Sequence, residues 1–320
     1  MEKLPRLDTD NELKKRILPH CRLKEGEIWQ DPEGLHRVGV GDAGNPDFLD
    51  RLFKGRRIGT MLNDPPYNIA VGRRPTAALS RKSADEYVEF TRRWLDASLS
   101  FLDKDAHFYL WLGADQNDGF QPLPEIMILL REYGDLRSRS FISMRNQRGY
   151  GTQQNWMSLR QELLYYVKGK PEFKVVYTDI PKILKGYYKT VGGRRQENLE
   201  RSRSDCIRPG NIWVDMQQVF YRMEENVPGA YAQKPLASAE RILTASPPPG
   251  NSVVADLFSH SGTTLLAAEK AQLPCCTMDI DPVYAELSIR RIERFRSTAK
   301  TGWQWENPFP EIDMESTERL

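Results

Sequence analysis

The segment that most narrows the possible folds is Val253-Val254-Ala255-Asp256-Leu257-Phe258-Ser259-His260-Ser261-Gly262-Thr263-Thr264. An apolar run ends in an acid, passes through a turn of small residues and opens into helical spacing from Thr264 to Ala271. Strand, tight turn and helix in that order make one unit of a parallel sheet. Seventeen residues beyond Gly262 a second apolar run ends at Asp279, in Thr277-Met278-Asp279-Ile280-Asp281-Pro282. In open parallel sheets ligands bind beyond the carboxyl ends of the strands, where backbone N–H groups at a helix N-terminus face the crevice. An acid at this spacing is placed to accept hydrogen bonds from ribose hydroxyls.

The rest of the chain keeps the same rhythm. Leu35 to Ala43 and Arg57 to Asn63 read as strands. The second stops at Asp64-Pro65-Pro66, because two prolines cannot continue a ladder and force a rigid turn. Ile69 to Lys82 reads as a mobile loop. Asp85 to Leu102 has helical apolar spacing with Ser83 as N-cap, Ala106 to Leu112 is a buried strand, and Pro124 to Tyr133 a helix. Arg137 to Met144 and Glu162 to Lys168 are strands flanking a Gly/Gln/Asn/Arg loop, Arg145 to Trp156. The alternation is lost from Pro171 to Tyr231 and returns at Lys234, with helices predicted over Leu236–Ala245, Thr264–Ala271 and Pro282–Phe295. Met1 to Trp29 reads as an arm packed on the main body, and the tail after Thr301 as peripheral.

Composition enters mainly by exclusion. No apolar run of about 18 residues exists, which argues against a membrane span, and Met1 to Cys21 lacks the apolar core of a secretory signal. A cytoplasmic protein is expected. The four cysteines (Cys21, Cys206, Cys275, Cys276) have neither zinc spacing nor the density of a disulfide scaffold, so no metal is expected and Cys275 and Cys276 read as buried thiols. The net charge of +2 is uninformative, but its distribution is not. Residues 131–208 hold 17 Lys/Arg against 8 Asp/Glu, interleaved with Tyr150, Trp156, Tyr165, Tyr166, Tyr177, Tyr187 and Tyr188. That is the composition of a phosphate-facing surface, and equally of a solvated face over core aromatics. The candidate nucleic-acid contacts are Arg73, Arg74, Arg145, Arg148, Lys185, Arg194 and Arg195.

A second constellation, Asn63-Asp64-Pro65-Pro66-Tyr67-Asn68, carries chemistry. The exocyclic amine of adenine or cytosine is a poor nucleophile because its lone pair is delocalised into the ring. An enzyme localises that pair by accepting both N–H bonds. Asp64 and the Pro65 carbonyl, held rigid with Pro66, supply two acceptors, and Tyr67 a flat face on which an extruded base stacks. Alone, the motif also reads as a capped Pro-Pro turn.

Taken together, these motifs make the sequence resemble the β-group of bacterial and phage amino-methyltransferases that modify adenine N6 or cytosine N4 in DNA. Asp-Pro-Pro-Tyr precedes the cofactor turn, Gln233-Lys234-Pro235-Leu236 matches the family's Gln-Lys-Pro segment, and Asp256 to Thr264 matches its Asp-Pro-Phe-Ala-Gly-Ser-Gly-Thr-Thr turn. The resemblance spans Gly41 to Phe295. It implies an α/β fold: a Rossmann-like seven-stranded S-adenosylmethionine-dependent methyltransferase sheet with an inserted target-recognition region. The division implied is an arm (1–34), a catalytic half (35–170), a recognition region (171–231), a cofactor-binding half (232–300) and a tail (301–320). Asp256, Phe258, Ser259, Ser261, Gly262 and Thr263 would surround the methionine part of S-adenosylmethionine. Lys234 and Leu236 would approach its carboxylate end, Asp279 its ribose and Asp42 its adenine. Asp64, Pro65, Pro66 and Tyr67 would hold the base, and the 69–82 loop would close over DNA.

The activity implied is site-specific transfer of a methyl group to adenine N6 of double-stranded DNA by base flipping, since Ser more commonly leads the motif in the N4 enzymes. Cytosine N4, an RNA or protein substrate, and a non-catalytic DNA-binding subunit are the alternatives. A homodimer and a cognate restriction endonuclease are the further partners the family suggests. The sequence departs from the family turn at Leu257, in place of proline, and at His260, in place of the first glycine. A histidine there either takes left-handed backbone geometry or crowds the cofactor, and it is read here as pointing away from the pocket.

Overall fold

In the computed structural model the described residues are 6–7, 10–66, 83–113, 122–150, 156, 158–182, 188–197 and 204–313. In chain order the elements are α1 (Asn11–Ile17), β1 (Ile28–Gln30), β2 (His36–Val40), α2 (Pro46–Phe53), β3 (Ile58–Asn63), α3 (Ala84–Ser98), β4 (Leu102–Leu112) and α4 (Pro122–Leu130). Then come β5 (Leu136–Tyr150), β6 (Ser158–Lys168), β7 (Tyr188–Val191), β8 (Arg194–Glu197), β9 (Ile212–Trp213), α5 (Leu236–Ala245), β10 (Val253–Asp256), α6 (Thr263–Lys270), β11 (Cys275–Asp279) and α7 (Pro282–Thr298).

Among the described residues nine strands form one sheet in the order β1-β2-β11-β10-β3-β4-β6-β5-β9, and β7 and β8 form a separate hairpin. β2, β11, β10, β3 and β4 run parallel, whereas β6 is antiparallel to both of its neighbours. The seven strands from β2 to β5 make up the expected sheet. Two short edge strands, β1 and β9, extend it to nine.

Alternation along the strands assigns the two faces. Val253, Ala255, Met61, Phe108 and Leu110 join one apolar cluster, covered by α2, α3 and α4. Val254, Leu62, Tyr109 and Trp111 join the other, covered by α5, α6 and α7. Strands buried on both faces read as near-continuous apolar runs, which is why β10 and β11 were visible in the sequence. Helix α3 starts where Ser83 suggested, with a reciprocal capping box: the Glu86 N–H donates to Ser83 Oγ and the Ser83 N–H to Glu86 Oε2. Cys275 and Cys276 are buried on β11, and burial pushes the Cys276 thiol up to about 11.

Two sequence expectations need correction. The first half of the loop expected over residues 145–156 is strand, because β5 continues to Tyr150. Polar side chains concealed this, since a ribbon that stands clear of the core has no apolar face to reveal it. Nor is the segment after Thr301 peripheral. Phe309 is fully buried and Trp303 nearly so, packed with Leu7, Leu13 and Ile17 of the arm and with Val283 and Leu287 of α7. These anchors lack periodicity, so no pattern announced them. Among the described residues no helix is long and apolar enough to cross a membrane.

Candidate active site

β3 and β10 are hydrogen-bonded neighbours, so the two segments that the sequence singled out end at the same sheet edge. Asn63 fastens them together: its Oδ1 accepts the Leu257 N–H at 2.9 Å, across 194 residues of chain. The next residue, Asp64, enters a narrow cavity with Leu62, Trp111, Lys234, Ser238, Ala239, Asp256, Phe258 and the turn from Ser259 to Thr264, Gly262 excepted.

The turn is held by backbone acceptors and by charge. Ser259 N–H donates to the Met278 carbonyl at 2.8 Å, and His260 N–H to Asp279 Oδ2 at 2.9 Å. Asp279 Oδ1 accepts from Asp281 N–H at 2.9 Å. Gly262 caps α6 at φ +72°, and a Cβ there would lie 2.8 Å from Ser288 Cα. Only glycine meets both demands. Behind the turn the fully buried Arg291 donates to the Ser261 carbonyl at 2.9 Å and to the Glu225 carbonyl at 3.1 Å, and burial lowers its guanidinium to about 10. Phe258 is wedged edge-on against Trp94, 5.5 Å between ring centroids.

Two acids sit below this turn with little water. Burial raises Asp256 to about 7, against the hydrogen bonds it accepts from Thr264 and from the Phe258 N–H. Burial likewise raises Asp279 to about 6. A buried carboxylate of this kind favours a cationic partner, because a positive charge restores what desolvation removed.

Lys234 crosses the cavity. Its ammonium donates to both oxygens of Asp64, at 2.8 and 2.7 Å, and lies 5.4 Å from the centre of the Trp111 ring. The side chains of Lys234 and Asp64 are 7% and 21% exposed, so this pair is largely shielded from solvent. Gln233 positions it, accepting from Val227 N–H and donating to the Glu225 carbonyl, while Glu225 Oε2 accepts the Leu236 N–H at the start of α5.

The cavity therefore gathers Asp64, Lys234, Asp256, Phe258, Ser259, Ser261 and Thr263. Gly262 and Asp279 lie behind it as supports. Leu236 is buried in the face cluster. Asp42 lies farther along the edge, paired with Arg93 and accepting from Gly44 N–H, outside the cavity lining. Pro65 is buried and Pro66 exposed. Of the remaining candidates, Arg145 is exposed on β5 and Arg194 and Arg195 on β8, and Arg148 lies on the β5 backbone. Tyr67, Arg73, Arg74, Lys185 and the 69–82 loop fall outside the described residues.

Sequence reading missed Trp111, Ser238, Ala239 and Arg291, which carry no motif and arrive by packing, and gave no role to Thr264, the last residue of the turn motif. His260 takes left-handed geometry, φ +44°; the residue borders the cavity, and its ring packs 4.7 Å from that of Tyr284, which is not part of the lining.

A family model described as DNA methylase, of the N6/N4 methyltransferase type, matches residues 58–290. The chain belongs to the N6/N4 DNA methylase family. The type II methyltransferase M1.MboII of Moraxella bovis is 29% identical to this methylase over 239 residues, 70% of this chain and 84% of that one. The type II methyltransferase M.HpaI of Haemophilus parainfluenzae is 24% identical over 236 residues, covering 74% and 68%. Among solved structures, a complex of M1.HpyAVI with S-adenosylmethionine superposes with TM-score 0.52 at 15% identity, over 80% of the methylase and 98% of that chain. The cytosine-N4-specific PvuII DNA methyltransferase does so with TM-score 0.54 at 14% identity, over 82% and 89%. These likenesses establish the fold, a mixed α/β methyltransferase sheet.

Proposed function

We propose that this DNA methyltransferase transfers the methyl group of S-adenosylmethionine to adenine N6 at a defined site in double-stranded DNA, acting on a base turned out of the duplex. The observation that carries the reading is the meeting of Asp64 with the 256–264 turn in one cavity. The donor set fits the cofactor. Lys234 matches a carboxylate, and the buried Asp256 matches the ammonium and sulfonium charges of the methionine part. The small side chains of Ser259, Ser261 and Thr263 leave room for close approach.

The bound cofactor supplies an electrophilic methyl group on a positively charged sulfur. The protein's part is positioning and hydrogen-bond acceptance, with no covalent intermediate. Asp64 Oδ and the Pro65 carbonyl accept the two N–H bonds of the target amine and localise its lone pair. Tyr67 stacks on the extruded base. Lys234 occupies both oxygens of Asp64, so the acid becomes an acceptor for the amine once the ammonium turns to another anion. Asp279 holds the turn in register from behind and would accept from the ribose hydroxyls of the bound cofactor. Leu236 and Asp42 take the outlying parts of the cofactor. Arg73, Arg74, Arg145, Arg148, Lys185, Arg194 and Arg195 contact DNA phosphates, and residues 171–231 read the sequence. Asp in place of Ser at the head of the motif supports adenine over cytosine.

Methylation-sensitive sequencing, with nucleoside mass spectrometry, of DNA from cells expressing the chain tests the proposal. N6-methyladenine at one sequence motif is expected, and N4-methylcytosine would overturn the choice of base. Asp64→Ala should lower kcat by at least about 100-fold, in the range for lost positioned acceptors, with cofactor and DNA affinity nearly retained. Substantial turnover by that variant removes Asp64 from the mechanism.

A further inference from the structure

The first helix of the chain reaches the acid that ends β11. Asp10 caps α1 by accepting the Leu13 N–H at 2.8 Å, and Leu13 and Ile17, one turn apart, sit in a buried cluster with Val283 and Leu287 of α7. From this anchored helix the Lys14 ammonium donates to Asp281, 267 residues away, and lies 5.1 Å from the centre of the Tyr284 ring. The side chains of Lys14 and Asp281 are each 19% exposed, so the pair is shielded, unlike a loose surface contact.

Asp281 relays this contact. Its Oδ2 accepts from Lys14 and its Oδ1 from Val283 N–H at 2.9 Å, capping α7, while its own N–H donates to Asp279 Oδ1 at 2.9 Å. Asp279 Oδ2 accepts from His260 N–H, and the His260 ring packs on Tyr284, the ring that Lys14 faces. Around Asp279 stand Lys14 on α1, Asp281 and Tyr284 on α7, His260 on the turn and Asp256 on β10. Asp42, with its partner Arg93, follows β2, whose end is tied to Asp279 by the Gly41 N–H. Burial is the largest influence on Asp279 and disfavours its ionised form; the Asp281 charge adds to that, and the two backbone N–H groups and the Lys14 ammonium oppose it.

We infer that Lys14 is a positioning residue of the cofactor site: through Asp281 it holds Asp279 ionised and in place for the ribose. The inference rests on the reading of Asp279 as the ribose acid. Each Asp279 oxygen already accepts one backbone N–H, and protonation takes a further acceptor position that a ribose hydroxyl needs. The arm is then part of the cofactor site as well as packing on it.

The test uses the full chain with adenosine as the probe, because adenosine carries the ribose without the charges of the methionine part. Its affinity is measured by titration calorimetry from pH 5 to 8. In wild type the affinity should rise as Asp279 ionises, with a midpoint at about 6. Lys14→Met removes the favourable cation, so the midpoint should move up by about one pH unit, whereas Lys14→Arg should keep the wild-type profile. Asp281→Asn retains a capping side chain on α7 but removes the unfavourable charge, so its midpoint should move down. A merely structural role for Lys14 would weaken adenosine equally at every pH. Midpoints that stay at the wild-type value in Lys14→Met and Asp281→Asn, or that move the same way in both, overturn the inference. A flat wild-type profile, or no binding of adenosine, overturns instead the reading of Asp279 as the ribose acid.

Discussion

At Gly262 one backbone angle and one helix contact fix a residue type. The φ of +72° and the 2.8 Å approach to Ser288 Cα that a Cβ would make leave no room for alanine. Gly262→Ala should cost about 2 kcal/mol or more of stability, read as a lowered midpoint of urea unfolding. A variant as stable as wild type would mean that the turn relaxes freely. His260, two residues earlier, shows the opposite case. It tolerates φ +44° because the peptide is held from outside, by the Asp279 carboxylate at its N–H, and its ring rests on Tyr284. The motif made the substitution visible, but the direction of the side chain depends on a helix more than twenty residues away.

Elements are locked by charge where apolar burial runs out. The β1–β2 hairpin is pinned to α6 and α7 by a shielded cluster: Arg296 donates to both oxygens of Asp31 (2.8 and 2.9 Å) and both of Glu269 (2.8 and 2.7 Å), and His36 Nε2 meets Glu269 at 2.8 Å. Burial alone would raise the Asp31 carboxyl, but Arg296 and the Glu33 N–H outweigh it and hold it at about 2; Arg296 also lowers Glu269. Both acids are therefore depressed below their ordinary values. The stability they contribute is complete above that ordinary range and is lost as pH falls through it toward 2. Arg296→Met leaves two buried carboxylates without a cation and should cost about 3–5 kcal/mol at pH 7. The deficit should shrink between pH 5 and 3 as protonation neutralises them. Denaturant midpoints measured across that range decide it, and a pH-independent deficit would mean that the loss is one of packing.

Across the whole molecule the site's acids tie ligand binding to pH. Burial lifts Asp256 to about 7 and Asp279 to about 6, so the ligand-free fold is favoured where they are protonated. That contribution is complete below the ordinary carboxylate range and is lost as pH rises through 6 to 7. A cationic ligand reverses the preference. The affinity for S-adenosylmethionine should rise from pH 5.5 to 8 with release of a proton, measurable by calorimetry in buffers of different ionisation enthalpy. A flat profile would separate these acids from the cofactor's charge. The βαβ rhythm, the acid-ending strands and their shared edge were legible in the sequence because each has a local pattern. Trp111, the bond between Lys234 and Asp64, the Arg291 support and the burial of Phe309 were not, because each depends on which distant segments touch.

The bond from Asn63 to Leu257 spans 194 residues, and it carries a kinetic meaning. β3 must wait for β10 to be synthesised before its open edge is paired, roughly 10 to 40 s at ribosomal speeds. The late-made pair β10 and β11 thus slots between β2 and β3, both made early, and the cleft forms where it meets β3. No nascent fragment short of α6 contains both walls, so the chain acquires its chemistry only after the start of α6 has been made.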